Sequence, residues 1–213
     1  MPFSNKKDFV FIILAGFFIT NAVVAELIGG KLIQFQGFTL SIGIIPWPVV
    51  FLTTDLINEF YGEKGVRRLS YLTASLIVYA FLILLAAMSV SAAGFSPVSD
   101  EQFNAVFGQS MWIIVGSIIA FLISQLIDVF VFTKIKNKTN GKYIGLRATL
   151  STGISQLIDS FIVLGIAFYL PKKITFNQYI SLGFTNYSTK LIIAILLIPF
   201  VYAGHSVIKK IIQ

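Results

Sequence analysis

The 213-residue chain has no cysteine, which excludes disulfides and thiolate metal sites. It has one histidine, His205, too few imidazoles for an ordinary transition-metal site. Charge is scarce as well: Asp, Glu, Lys and Arg make up 12% of the residues, about half the share of a soluble domain. Catalytic signatures are also missing. There is no Gly-x-Ser-x-Gly, no His-Glu-x-x-His and no phosphate-cradling glycine-rich loop. Without these, neither an activated nucleophile, a zinc site nor ATP hydrolysis is legible. The chain is expected to be no enzyme and to need no cofactor.

What is abundant is apolar. Hydrophobic residues make up 56% of the chain and Phe alone supplies 21 of them. A spanning helix needs about 20 mostly apolar residues. Six stretches qualify, at roughly 9–29, 39–57, 69–93, 111–133, 148–170 and 183–205, with edges uncertain by about three residues. The expectation is an all-α membrane protein, residues 1–213 forming one transmembrane domain. Lys and Arg favour the cytoplasm. Lys6, Lys7, Lys64, Arg67, Arg68, Lys134, Lys136, Lys138, Lys142, Arg147, Lys209 and Lys210 fall between or outside these stretches on one side. The other side receives Lys31, Lys172 and Lys173. Both termini are therefore expected in the cytoplasm. The net charge of +7 is a topology signal here and does not imply nucleic acid. Lys6, Lys7 and the following run also imitate a signal peptide, but the run exceeds the about 7–15 apolar residues of an h-region.

The pentapeptide Ser-Gln-Leu-Ile-Asp occurs twice, at Ser124 to Asp128 and at Ser155 to Asp159. Within each copy the Gln and the Asp are three apart and share one helix face. Ionisable groups at membrane depth are costly and by default face the bundle interior or a water-filled cavity. Gln125 with Asp128 and Gln156 with Asp159 thus predict a polar pocket between two antiparallel helices. Inverted repeats in transporters supply a precedent for such a pocket. The alternative is that the amides only hydrogen-bond across helices while the aspartates pair with Arg147 or Lys134.

Other polar groups lie at similar depth. Asn186 and Lys190 share a face of the last helix, and a buried lysine needs a partner; Glu26 or a ligand are the candidates. Asn21 and Glu26 lie towards the outer end of the first helix, where Glu26 could also pair with Lys31. Pro46-Trp47-Pro48 falls in the middle of the second stretch and predicts a kink or break, and Trp47 offers a ring for stacking on a planar ligand. Asp55 and Glu59, four apart, face one way near the inner end of that helix. Glu59 and Glu63, with Arg67 and Arg68 nearby, also fit a solvated salt-bridge cluster. Carboxylates, amides, one lysine and aromatics form a binding inventory that fits a purine-like solute, an amino acid or a cation.

Several stretches resemble the queuosine precursor transporter family, small six-helix membrane proteins of the vitamin-uptake-transporter type. They are the Pro-rich entry into Phe51 to Gly62, the run Ser124 to Phe132 before a basic turn, Leu146 to Thr152 followed by Ser155 to Asp159, and Asn186, Tyr187, Lys190 and Pro199. Together they cover about residues 10 to 205, in order. The resemblance implies uptake of 7-cyano- or 7-aminomethyl-7-deazaguanine across the bacterial inner membrane. It also implies a fold like the substrate-binding subunits of energy-coupling-factor vitamin transporters. On this reading Asp159 and Gln156 take the purine edge, with Asp128 and Gln125 supporting and Asp55 as another source of carboxylate. Trp47 stacks, and Lys190 with Asn186 contacts the ring carbonyl or neutralises an aspartate. Asn21 and Glu26 complete the site. The partners expected are a small 7-deazapurine, the lipid bilayer and a second copy in a homodimer. The alternative is a binding subunit of an ATP-driven uptake complex.

Overall fold

The computed structural model describes residues 5–35, 38–108 and 111–212. Helix α1 (Lys6–Ile28) leads to a short antiparallel hairpin, β1 (Leu32–Phe35) with β2 (Phe38–Ser41). One 3-10 turn (Ile42–Ile44) precedes α2 (Trp47–Met88). A short α3 (Asp100–Phe107) lies before α4 (Met111–Lys138). Then come α5 (Ile144–Leu164), continued by a π turn (Gly165–Tyr169), α6 (Phe176–Leu196) and α7 (Ile198–Ile212). The protein is an all-α membrane protein with one small hairpin.

The hairpin corrects the sequence expectation of a helix over 39–57. Residues 38–41 pair as a strand, and the helix starts only at Trp47. Pro46-Trp47-Pro48 therefore does not kink the middle of a span. Pro46 caps the helix and Pro48 sits in its first turn, where a missing N–H costs nothing because that donor has no helical acceptor. The segment 94–108, between two of the apolar stretches, contains α3, opened by a capping box between Ser99 and Gln102. The last predicted span, 183–205, is two helices that meet at 44°, with Pro199 in the first turn of α7.

Helix α2 has 42 residues, a length of about 63 Å if straight, twice the bilayer core of about 30 Å. It is not straight. Gly62 has φ 74° and ψ 176°, a conformation open almost only to glycine. The arms on either side, 47–61 and 63–88, run back along the same neighbour. Asn58 reaches the Val129 carbonyl of α4, while Trp47 lies against Phe121, two turns towards the start of α4. Met88 at the far end of the second arm approaches Gly108, just before α4 begins. Both ends of α2 thus lie on the same side of Asn58, and the chain reverses at Gly62. Val50 and Ile57 from the first arm and Val66, Ile77 and Phe81 from the second share one core with Phe18, Ala22, Phe121 and Val129.

By length and composition, four helical segments can cross a membrane, or five when the bent pair α6–α7 is one span. The first arm of α2, at 15 residues, is short for a span. At one end of the bundle the basic segments meet. The Tyr61 hydroxyl donates to the Lys7 carbonyl at 2.6 Å, Ile208 packs on Val10 and Leu56, and Lys136 donates to the Glu59 carbonyl at 2.7 Å. Large apolar side chains such as Phe17, Leu82, Phe130 and Phe200 stay exposed around the bundle, as expected of faces solvated by lipid.

Candidate functional site

The buried polar residues gather where α2, α4 and α5 meet. Thr53, Thr54, Asp55 and Asn58 come from the first arm of α2. Ser124, Gln125 and Asp128 come from α4, and Ser151, Thr152, Ser155, Gln156 and Asp159 from α5. Each is buried because the 3.6-residue period places it on the face turned towards the neighbouring helices. Small Ser and Thr side chains let these helices approach closely, as in membrane bundles generally.

The two copies of Ser-Gln-Leu-Ile-Asp clasp each other reciprocally. Ser124 of the first copy donates to Asp159 Oδ1 of the second at 3.3 Å. Ser155 of the second donates to Asp128 Oδ1 of the first at 3.1 Å. The glutamines break this symmetry. Gln125 donates to the Thr54 hydroxyl at 2.8 Å and ties α4 to α2. Gln156 is buried yet makes no side-chain hydrogen bond among the described residues.

Around this clasp the ionisable groups form three groups along the bundle, called outer, middle and inner by decreasing distance from its basic end. In the outer one, Lys190 of α6 donates to Asp159 Oδ2 as a hydrogen-bonded ion pair. Glu26 of α1 hydrogen-bonds Ser117 of α4 and feels the charges of both Asp159 and Lys190. Of the partners considered for Lys190, an aspartate is the direct one, Asp159, and Glu26 lies in reach of the pair's charges. In the middle group, Asp55 of α2 and Asp128 of α4 lie close enough to feel each other's charge, and the Ser155 hydroxyl donates to Asp128 Oδ1, with Ser151 and Thr152 nearby on α5. In the inner group, Glu59 gathers three bases. Lys136 lies 2.8 Å and Arg147 3.1 Å from its Oε2, and His205 Nε2 lies 3.8 Å from its Oε1. Arg147 is fully buried, with Phe132 below its guanidinium at 5.1 Å. Arg147 therefore serves Glu59 and not the aspartates of the repeat, and the Glu59 cluster is anchored on one buried base while Glu59, Lys136 and His205 stay partly exposed. Glu63 does form the surface pair foreseen there, with Arg67 at 3.4 Å.

The remaining expected residues fall into two sets. Asn186, half-buried one turn before Lys190 on α6, shares that residue's side of the helix. Trp47 is half-buried, its ring stacked on Phe51 at 5.9 Å and tilted against Phe121 at 6.2 Å, so protein already fills part of its surroundings. Asn21 turns back on its own helix, donating to the Phe17 carbonyl at 2.8 Å. Glu59, Arg147, Thr54 and Ser124 were not expected in the site. Ser124 lay inside the repeat, and Arg147 was visible as a basic residue next to an apolar run. A surface cavity of about 490 Å³ lined by Met88, Ser99, Asp100 and Phe103, and a smaller one beside Glu63 and Arg67, contain none of the ten expected residues.

Residues 41–204 match the family described as "Putative vitamin uptake transporter". A protein of Bacillus subtilis named "Probable queuosine precursor transporter" is 28% identical over 191 residues, covering 88% of this chain and 81% of that protein. A protein of the same name from Haemophilus influenzae is 27% identical over 175 residues, covering 80% of this chain and 69% of the relative. The "Queuosine precursor transporter" of Escherichia coli is 25% identical over 167 residues, covering 76% and 71%. No solved structure matches the chain. The matched segment takes in the clasp, Glu59 with Lys136 and Arg147, and Lys190, and the chain belongs to the family of putative vitamin uptake transporters, with relatives named as queuosine precursor transporters.

Proposed function

We propose that this protein imports queuosine precursors, 7-cyano- or 7-aminomethyl-7-deazaguanine, across the bacterial inner membrane through a polar pocket at the repeat. The observation that carries this reading is the outer group: Asp159 held by Ser124 and Lys190, beside an unbonded Gln156 and the half-buried Asn186. A deazaguanine offers two N–H donors, at ring N1 and the exocyclic amine, which a carboxylate accepts as a fork. Its carbonyl oxygen accepts from Lys190, Asn186 or Gln156. Trp47 covers the ring face. Asp128, Gln125 and Asp55 back the site from the middle group, and Glu26 and Asn21 border it from α1.

In this account the two arms of α2 count as separate crossings, giving six with both termini at the basic, cytoplasmic end. The gathering of Lys7, Lys136, Arg147 and Lys209 around that end supports the orientation. The fold then corresponds to a six-helix substrate-binding unit, acting alone or as a homodimer. The alternative, a subunit of an ATP-driven complex, finds no specific support in the contacts described.

The test is uptake of the labelled precursors into bacterial cells unable to make them, with wild-type protein and with Asp159→Asn. The reading predicts accumulation that depends on the protein and on Asp159. Equal accumulation with Asp159→Asn at equal protein level removes Asp159 from the site. No accumulation with correctly inserted wild-type protein rejects the substrate.

A further inference from the structure

The charges of the middle and inner groups do not balance. Asp55, Asp128 and Glu59 are carboxylates, and the cations in reach are Arg147 and Lys136. Both cations ion-pair with Glu59, and His205 also turns to Glu59. The deficit of one positive charge therefore falls on Asp55 and Asp128. Among the described residues neither has a cation within ion-pairing distance, although Asp55 feels the more distant Arg147 charge, while Asp159 has Lys190. Asp55 is 3% exposed, and its Oδ1 is buried with no hydrogen-bond partner among the described residues. The 2.8 Å bond from Gln125, one turn before Asp128 on α4, to Thr54, the neighbour of Asp55 on α2, brings the two carboxylates to the same helix contact, where each feels the other's charge.

A buried carboxylate left unpaired in a protein interior is strongly disfavoured, and a buried like-charge pair more so. What surrounds this pair is oxygen. The Ser155 hydroxyl donates to Asp128 Oδ1, the Ser151 and Thr152 hydroxyls lie nearby, and Thr54, next to Asp55 on α2, is fixed by the Gln125 amide. Carboxylates and hydroxyls without competing imidazole or thiol suit a hard cation rather than a transition metal. Intramembrane acids of this kind mark ion pathways and proton relays, and transporters place coupling cations beside their substrate sites.

We infer that the Asp55–Asp128 pair binds one small monovalent cation, a sodium ion or a proton, at a site separate from the Asp159–Lys190 pair. The cation supplies the missing charge and links α2 to α4 and α5. The other titratable groups near it are Glu59, Lys136, Arg147 and His205 towards the basic end. On the opposite side lie Asp159, Lys190 and Glu26. The inference does not depend on which solute is carried, because the cation can be measured without it.

The test uses the purified full-length protein. Binding of radioactive sodium is measured by scintillation proximity against a potassium or choline background. In parallel, proton uptake is counted on acidification from about pH 8.5 to about pH 5.5, a range in which an ordinary exposed carboxylate takes up almost none. A sodium site gives saturable binding of one ion, weakened at least tenfold in both Asp55→Asn and Asp128→Asn and unchanged in the surface variant Glu63→Gln. A proton site gives no sodium binding but one proton more in wild type than in Asp55→Asn. If Asp55→Asn does not fold, Asp128→Asn carries the same comparison. Absence of sodium binding together with equal proton uptake in wild type and variant overturns the inference.

Discussion

Replacing Glu59 by Gln should destabilise the bundle more than any other single change at its basic end. Arg147 is fully buried, and its Nε and Nη1 already lack hydrogen-bond partners. Its Nη2 lies 3.1 Å from Glu59 Oε2. At an effective dielectric constant of about 20, one such contact carries about 5 kcal/mol of Coulomb attraction. Desolvation of both ions offsets much of that. Removing only the carboxylate does not return the desolvation of Arg147, and breaking a buried pair in this way costs about 3–5 kcal/mol. Lys136, which is more exposed, adds little because it can turn to water. The perturbation should therefore appear as a large drop in apparent melting temperature in detergent, read by loss of monodisperse protein after heating. The double variant Glu59→Leu with Arg147→Met removes both charges and should recover most of the loss, since a buried ion pair replaced by apolar side chains is often neutral. A Glu59→Gln protein as stable as wild type would refute the claim that Arg147 depends on Glu59. A double variant no better than the single would place the energy outside the pair.

Three further outcomes follow from the same contacts. Gly62→Ala forces a Cβ into a backbone conformation reserved for glycine and should cost about 1–3 kcal/mol, read as a lower melting temperature. Lys190→Met leaves Asp159 buried without its cation. It should lower stability, and adding Asp159→Asn should restore stability without restoring substrate binding, a separation that thermal and binding assays together detect. Gly183→Val places atoms where a Cβ alone would sit 2.6 Å from the Phe161 ring. It should push α6 from α5 and loosen the Asp159–Lys190 pair, so uptake falls while the exposed Glu63→Gln control stays at wild-type level.

Much of the architecture was legible because polar groups at membrane depth stand out against an apolar background. The repeat, Lys190 and the basic segments could be read this way, and the structure joins Asp159 to Lys190 directly. The reciprocal Ser–Asp clasp could not be read, because it depends on the antiparallel register of α4 and α5. The Glu59 hub was hidden for a related reason. Its partners come from α4, α5 and α7, with Lys136 lying 77 positions further along the chain, whereas local spacing pointed only to Arg67 and Arg68. The hairpin was misread because a short apolar run without clear period fits strand and buried helix alike. Pro46 and Pro48 were read as a kink for want of a helix boundary, and the strand before them supplies that boundary.

The central claim is that Asp159 reads the substrate edge, and equilibrium binding of tritiated 7-cyano-7-deazaguanine to purified wild type, Asp159→Asn and Glu63→Gln tests it most directly. A hydrogen bond to a charged group is worth about 1.5–3 kcal/mol, and each 1.4 kcal/mol is about tenfold in affinity. The account predicts that Asp159→Asn binds at least about tenfold more weakly while Glu63→Gln matches wild type. Equal affinity in folded wild type and Asp159→Asn would contradict it.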